Sequence, residues 1–309
     1  MVKPGLDPTN MKDPSTKVVS RLDASAQTRM SKDGNQPSSG RLSIQEMEAR
    51  TRVIRRHIVE MTAAAGSGHP GGSLSAVELL TALYFRVLRH SPSDPDWLDR
   101  DRFILSKGHC VPVLYSVLAE AGYFDVKDLQ TFRKVGSLLQ GHCHTMTPGV
   151  EQCAGSLGQG LSFGIGAALA GRLDGRSYTV YVMLGDGECD EGQVWEAAMA
   201  ASHFGLDNLV AIVDRNRIQN DRHTSEAMEI EPLADKWASF GWRVREIDGH
   251  DLAQVVDALE AARLQDGDRH AIIAQTTKGK GVSFMEDNPD FHGKAPNPEQ
   301  LQKALQELS

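Results

Sequence analysis

Two oxygen-bearing side chains, Asp186 and Asn216, follow successive apolar segments of this chain and could together hold a divalent cation. Asp186 lies in the short sequence GDGE directly after one apolar run, and Asn216 comes just after the next run. Carboxylate and amide oxygens at the carboxyl ends of neighbouring parallel strands are hard ligands that suit octahedral Mg²⁺, which keeps positions open for phosphate oxygens. The pair therefore predicts a metal-bound diphosphate cofactor.

The segments around this pair have the pattern needed to position it. The runs TVYVML (179–184) and LVAIVD (209–214) are nearly continuous in apolar residues, as in strands buried on both faces of a parallel sheet. Gly187 lets the backbone approach a phosphate, and the apolar spacing after it indicates a helix whose N-terminus favours an anion. A GDG tripeptide alone is usually a tight turn, so the metal interpretation depends on the NRI sequence at 216–218.

Helix and strand patterns alternate along the rest of the chain. This alternation predicts an α/β fold, a doubly wound and mostly parallel sheet flanked by helices, with ligands at the carboxyl ends of the strands. Further helices are predicted at 43–65, 73–90, 111–121, 158–173, 232–240, 251–264 and 298–307, and further strands at 102–106, 242–247 and 271–276.

Composition narrows the class of protein. Residues 1–40 are polar and lack an apolar period, which predicts a disordered tail before a domain at 41–309. A net charge of −8 without a basic stripe argues against a nucleic-acid surface, and no apolar stretch is long enough to cross a bilayer. The tail resembles neither a signal peptide nor a transit peptide, so we expect a cytoplasmic location. The cysteines show no CxxC pairing, so we expect reduced thiols, which agree with that location.

Several motifs, in one order along the chain, resemble those of the amino-terminal, diphosphate-binding part of transketolases. The resemblance runs from about Leu42 to the C-terminus. Its motifs are SGHPGG (67–72), LSKGH (105–109), GH (141–142), TPGV (147–150), GSLGQGLS (155–162), GDGECDEG (185–192), DRNRI (214–218) and FHGKAP (291–296). Ordered matches of this number are far more specific than GDG alone.

The resemblance implies a function and a partner. The family uses thiamine diphosphate with Mg²⁺ or another divalent cation to transfer a two-carbon ketol unit from a ketose to an aldose. Its full-length members also carry a pyrimidine-binding domain and a C-terminal domain, for which this chain has no match. We therefore expect one subunit of a split transketolase, with a heterotetramer as the expected complex, acting on sugars or sugar phosphates.

The resemblance also assigns roles to four histidines. His69 and His142 would contact the first carbons and hydroxyls of the sugar, while His109 and His292 would lie by the diphosphate and the reacting centre. Neutral imidazoles suit this work because they both donate and accept hydrogen bonds at neutral pH. A lone histidine is more often structural, but each of these lies in its own motif.

Other positions receive cofactor roles from the same motifs. Gly155 and Leu157 would meet the aminopyrimidine through backbone carbonyls, although this glycine-rich stretch also suits tight helix packing. Gly187 and Glu188 would adjoin the diphosphate, and the backbone carbonyl of Ile218 would be a third metal ligand beside Asp186 and Asn216.

Two acids in the following helix are predicted to lie at the subunit interface. Glu191 and Glu196 correspond to family glutamates that communicate with the catalytic glutamate of the partner, although acids are also favourable in the first turns of any helix. No match to that activating glutamate is found in this chain. Alone, it should be inactive.

The chain departs from the family pattern around His142. Gln140 replaces a common proline, and Cys143 and His144 follow where proline and an acid are frequent. His142, Cys143 and His144, with Cys153 as a fourth ligand, suggest a zinc site, but adjacent side chains rarely converge on one metal, so we favour a loop with one functional histidine. The departures leave the sugar preference open.

Two other functions remain open from the sequence. The chain could be the α subunit of a 2-oxo acid dehydrogenase E1 component, although that pattern usually lacks SGHPG and FHGKAP. It could also be a catalytically silent binding subunit, which the intact Asp186, Asn216 and four histidines argue against.

Overall fold

The computed structural model describes residues 41–309. The predicted disordered tail at 1–40 lies outside the described residues. The central sheet has five parallel strands in the order β1-β2-β3-β7-β6, and a small antiparallel hairpin is formed by β4 and β5. The strand bounds are β1 Arg102–Leu105, β2 Val180–Gly185, β3 Leu209–Arg215, β4 Ile218–Gln219, β5 Arg222–His223, β6 Arg243–Asp248 and β7 His270–Gln275.

Helices cover both faces of this sheet. The α-helices are α1 Ile44–Ala65, α2 Pro70–Leu74, α3 Val77–Ala82, α4 Val111–Ala121, α5 Gln159–Leu173, α6 Gly192–His203, α7 Thr224–Ala227, α8 Leu233–Ser239, α9 Leu252–Ala262 and α10 Pro298–Glu307. A π-helical turn follows α3 at Leu83–Val87, and short 3₁₀ turns lie at Gly108–Cys110, Val126–Thr131, Gly187–Asp190 and Pro289–Phe291.

Alternating side chains of the central strands build two separate cores. In β2, Tyr181 and Met183 pack against α1, α3, α4 and α9 on one face of the sheet. Val180, Val182 and Leu184 pack against α5, α6 and α8 on the other face. Because both faces are covered, the central strands β2 and β3 are apolar over nearly their whole length, and the sheet is doubly wound as predicted.

The ends of the longest helix show how local sequence sets the element bounds. Ser43 and Glu46 form a capping box, in which each side chain accepts a hydrogen bond from the backbone N–H of the other. Gly66 ends the helix in the left-handed conformation, with a φ of 63°. The chain therefore turns at Gly66, directly before the predicted His69 motif.

Candidate active site

A cleft of about 230 Å³ opens at the carboxyl ends of the central strands and gathers most of the predicted site residues. It lies where ligands bind in open parallel sheets. Its lining consists of His69, Gly72, Lys107, His109, Gly155, Leu157, Gly185, Asp186, Gly187, Glu188, Asn216, Ile218, Gln219, Asn220, Lys278 and His292. The sheet therefore brings together motifs that are far apart in the sequence.

The predicted metal ligands converge on one part of this cleft. Asp186 follows β2 and is almost fully buried, and its carboxylate accepts hydrogen bonds from Gly187 N at 2.8 Å and Arg217 N at 2.6 Å. Asn216 follows β3, which pairs with β2, and its Oδ1 accepts from Ile218 N at 3.2 Å. These contacts fix the Asp186 and Asn216 side chains on the backbone of the 216–218 segment, and Ile218 also lines the cleft.

The chemistry of this donor set fits a divalent cation with a diphosphate. Burial raises the pKa of Asp186, and the nearby Asp214 carboxylate adds to the effect. A cation would relieve both effects by stabilising the ionised form. His69 Nδ1 and Gln219 Oε1 are also buried without a hydrogen-bond partner, so two polar atoms of the cleft remain free to contact a bound group.

The four predicted histidines form one cluster around His69. Its ring centroid lies 5.1 Å from that of His109, 5.4 Å from that of His292 and 6.2 Å from that of His142. His142 does not line the cleft itself. It lies on the loop between α4 and α5, next to His69. Polar ring nitrogens are thus brought together at one end of the cleft.

Burial keeps the imidazoles of His69, His109 and His292 uncharged at neutral pH. It lowers the pKa of His69 to about 4 and that of His292 to about 3, with further lowering by the positive charge of Lys278 on both. The pKa values of His109 and His142 are lowered by burial as well. A cluster of neutral imidazoles can donate and accept protons without repelling each other electrostatically.

A buried ion pair that sequence reasoning missed lies under the cleft. Lys107 Nζ donates to the Asp214 carboxylate and, at 3.0 Å, to Gly72 O. Burial alone would lower the pKa of Lys107, but the Asp214 charge outweighs it and raises the pKa above its ordinary value. Asp214 also accepts from Ser75 Oγ at 2.6 Å and from Thr276. Through these hydrogen bonds, Lys107 and Asp214 connect the end of β3 to α2 and to the loop after β7.

The sequence did carry a signal for this pair. Asp214 is the one acid that ends an otherwise apolar run, and Lys107 belongs to the LSKGH motif. A charged residue at the end of a buried strand requires a partner, which could have been sought among nearby lysines.

Lys278 is a second missed residue, and it faces the predicted metal and histidine positions. Its ammonium donates to Ile218 O at 3.0 Å and lies 2.7 Å from His292 Nδ1. Burial lowers its pKa to about 8. No carboxylate among residues 41–309 forms an ion pair with Lys278, so its charge faces the cleft.

The remaining predicted cofactor residues also line the cleft, but Glu188 is held by protein contacts. Its carboxylate accepts hydrogen bonds from Ser106 Oγ, from Gly158 N at 2.9 Å and from Gly185 N at 3.0 Å. A Cβ on Gly187 would lie 2.7 Å from Gln219 Cγ, so only glycine fits there. Gly155 has open space at its Cβ position.

The predicted interface acids lie outside the cleft. Glu191 and Glu196 are exposed at the start and along the outer side of α6. Near His142, the structure places Cys143 in the core, whereas Cys153 is exposed and its Sγ accepts from Thr145 N at 3.4 Å. Across residues 41–309, no three His, Cys, Asp or Glu side chains are arranged to hold a metal.

Within the same part of the chain, no helix is long and apolar enough to cross a membrane.

Comparison with known proteins identifies the family of the chain. Residues 46–308 match the family described as transketolase, thiamine diphosphate binding domain. The chain is 44% identical over 264 residues to the 6-deoxy-6-sulfo-D-fructose transketolase subunit SqwG of Clostridium sp. (strain MSTE9), covering 85% of this chain and 96% of that protein. It is 41% identical over 268 residues to an apulose-4-phosphate transketolase subunit of Phocaeicola vulgatus, covering 87% of this chain and 95% of that protein.

Solved structures give the same result for the fold. The chain aligns with the transketolase of Campylobacter jejuni with a TM-score of 0.81 and 33% sequence identity. That match covers 86% of this chain but only 43% of the solved chain. The similarity is thus to one part of a larger protein in this case, and to nearly whole subunits in the two preceding ones.

Proposed function

The chain belongs to the transketolase family as a subunit of the two-chain type, and on this premise we propose that its cleft holds thiamine diphosphate through Mg²⁺. Asp186, Asn216 and the Ile218 carbonyl would be the protein ligands of the metal, and Lys278 and His292 would contact the diphosphate. The observation that carries the proposal is the convergence of these groups with His69 and His109 on one cleft. When bound, thiamine diphosphate supplies the carbon nucleophile for ketol transfer.

The histidines would then handle the protons and oxygens of the sugar. The ring centroids of His69 and His142 lie 6.2 Å apart with their planes tilted by 59°, so one sugar hydroxyl at the edge of both rings could contact both side chains. Because both pKa values are lowered, each ring is neutral near pH 7 and can donate to a developing alkoxide or accept from a hydroxyl. His109 lies deeper, 5.2 Å from His292 between ring centroids, beside the expected diphosphate.

The substrates we propose are ketoses and aldoses with an anionic end. The two similar subunits are named for sugars that carry a sulfonate or a phosphate. A second chain would supply the pyrimidine-binding and C-terminal domains, and the expected complex has two copies of each chain. A cytoplasmic location fits the four free cysteines.

The metal site is the part of this proposal that a single variant tests. Asp186→Ala in the two-chain complex should abolish the rise in melting temperature that thiamine diphosphate and Mg²⁺ give to the wild type, since the metal loses its only carboxylate ligand. Asp221→Ala is the matched control because Asp221 is exposed in the turn between β4 and β5. Equal stabilisation of the Asp186 variant and the wild type would refute the metal assignment.

A further inference from the structure

Two adjacent residues, Phe132 and Arg133, contact the turns that carry two of the four histidines. A Cβ on Gly68 would lie 3.1 Å from Phe132 Cε1, so the buried Phe132 ring packs against the backbone that leads into His69. A Cβ on Gly141 would lie 2.9 Å from Arg133 Cζ, so the guanidinium packs against the backbone that leads into His142. One dipeptide therefore touches both turns.

Tyr115 connects the backbone of His142 to the Phe132 ring. The hydroxyl of the fully buried Tyr115 donates to His142 O at 3.2 Å. The Tyr115 ring meets the Phe132 ring edge to face, with centroids 6.2 Å apart. The position of His142 is thus coupled through Tyr115 and Phe132 to the turn that carries His69.

The backbone of Arg133 is held in an unfavourable conformation. Its φ of 59° lies in the left-handed region, which non-glycine residues rarely adopt, and its N–H donates to Leu139 O at 2.8 Å. Such strain is retained where the surroundings fix the residue, and it concentrates at functional sites. The Arg133 guanidinium also makes no ion pair with a carboxylate among residues 41–309, in contrast to Arg89 and Arg100.

We propose that Arg133 is a positioning residue that, with Phe132, fixes the His69 and His142 turns at one separation and places a permanent positive charge beside both rings. The inference rests on the proposed transketolase activity and adds a residue to it. An arginine suits this position because its guanidinium is planar enough to lie on the Gly141 backbone and does not lose its charge.

The charge has a direct consequence for the histidines. Burial is the first cause of the lowered pKa of His69 and His142, and the Arg133 charge is the next for both. The other positively charged or titrating groups that act on His69 are His142 and Lys278. Removing the Arg133 charge should therefore move both pKa values upward, toward the ordinary value of 6.5.

The test is the pH profile of kcat/KM for the reconstituted two-chain enzyme, together with kcat and KM at neutral pH. Arg133→Met should raise the acid limb of the profile by about half to one pH unit and lower kcat about tenfold. Arg133→Lys keeps the charge and should retain the acid limb of the wild type while losing part of kcat. Gly141→Ala should lower kcat without removing any charge, because its methyl group displaces the guanidinium.

Lys134→Met is the matched control, since it removes the same charge from the neighbouring exposed residue. It should leave both kcat and the acid limb unchanged. The inference is overturned if Arg133→Met changes neither quantity, if it lowers kcat without moving the acid limb, or if Lys134→Met moves the limb equally. If Arg133→Met does not assemble, the inference is decided by Gly141→Ala, and unchanged kcat in that variant overturns it. If the wild-type complex shows no ketol transfer, the proposed function itself is refuted. An active wild-type complex with an unaffected Arg133 variant refutes only the role of Arg133.

Discussion

At the scale of the residue, the roles proposed for the histidines differ enough to be separated by substitution. His69→Ala or His142→Ala should lower ketol-transfer turnover by about 10²–10³, the usual scale for losing a general acid or base or an alkoxide donor. Cofactor affinity should barely change in either variant. His292→Ala should instead weaken cofactor binding first, because His292 lies 2.7 Å from Lys278 Nζ beside the expected diphosphate. A paired titration of cofactor and ketose on each complex measures both effects.

His144→Ala is the control for this comparison. His144 follows His142 by two positions and is exposed like it, but its Nδ1 accepts from Met146 N at 3.2 Å and its ring is not among those packed around His69. Its loss should leave turnover intact. Full turnover in the His69 and His142 variants would contradict the proposed roles.

Lys278 should matter for cofactor affinity more than for turnover. Lys278→Met removes a buried charge that faces the expected diphosphate while keeping a side chain of similar length. We expect the Kd for thiamine diphosphate to rise about 10- to 100-fold, the scale of a charge-assisted contact to phosphate. Isothermal titration of the complex with cofactor and Mg²⁺ measures it. Lys280→Met serves as the control, because Lys280 lies in the same loop, is partly exposed and has its Nζ 3.6 Å from Glu286 Oε1. Equal Kd values for the two variants would exclude the assignment.

Most of the residues around the cleft were predictable because each lies in a local motif. The resemblance named His69, His109, Asp186, Asn216 and His292, and the structure places all of them at one cleft. What the sequence did not show was their support. Lys107 and Lys278 contact Asp214 and Ile218, which lie far away in the chain, and Arg133 contacts the turn at Gly141. Apart from the acid at the end of the β3 run, no local pattern indicates these contacts.

At the scale of the element, the strand predictions agree with the structure to within about two residues, which is the usual uncertainty of element ends. The long helix predicted at 73–90 was wrong. The segment forms α2, α3 and a π-helical turn instead, and Ser75, between α2 and α3, donates to Asp214 Oδ2 at 2.6 Å. A tertiary contact of this kind interrupts a segment whose apolar residues alone favour one helix.

Glu188 links three of these elements, and its loss should destabilise the fold. Its carboxylate accepts from the loop after β1, from the N-terminus of α5 and from the end of β2. In Glu188→Gln, an amide N–H₂ group replaces one acceptor, so at least one of these buried donors loses its partner. We expect a loss of about 1–3 kcal/mol in the free energy of unfolding, measured by denaturant titration of the full chain.

Glu226→Gln is the control for this measurement because Glu226 is exposed in α7. It should change the free energy of unfolding by less than about 0.5 kcal/mol. If Glu188→Gln were as stable as the wild type, the hydrogen bonds of Glu188 would not be needed to hold these elements together.

At the scale of the whole molecule, α5 and α6 present an apolar surface on the outer side of the sheet. The two helices lie side by side, with Gln193 Nε2 donating to Ser162 Oγ at 2.6 Å near their N-termini. Phe163 on α5 and Met199 on α6 are 45% and 57% exposed. Large exposed apolar side chains on two adjacent helices are typical of a surface that another chain covers.

Glu196, which the resemblance predicts to lie at the subunit interface, is also exposed on α6, so we expect the second chain to bind this surface. Alone, the chain should show no ketol transfer, and mixing it with the second chain should restore activity in a complex with two copies of each. Met199→Glu should prevent that assembly, since a charge would be buried without a partner. Leu264→Glu is the control, because Leu264 is 72% exposed just after α9, on the other face of the sheet. Light scattering after chromatography measures the mass of each mixture. Assembly of the Met199 variant with normal mass and activity would show that the two chains meet elsewhere, whereas robust ketol transfer by the single chain would refute the need for a partner.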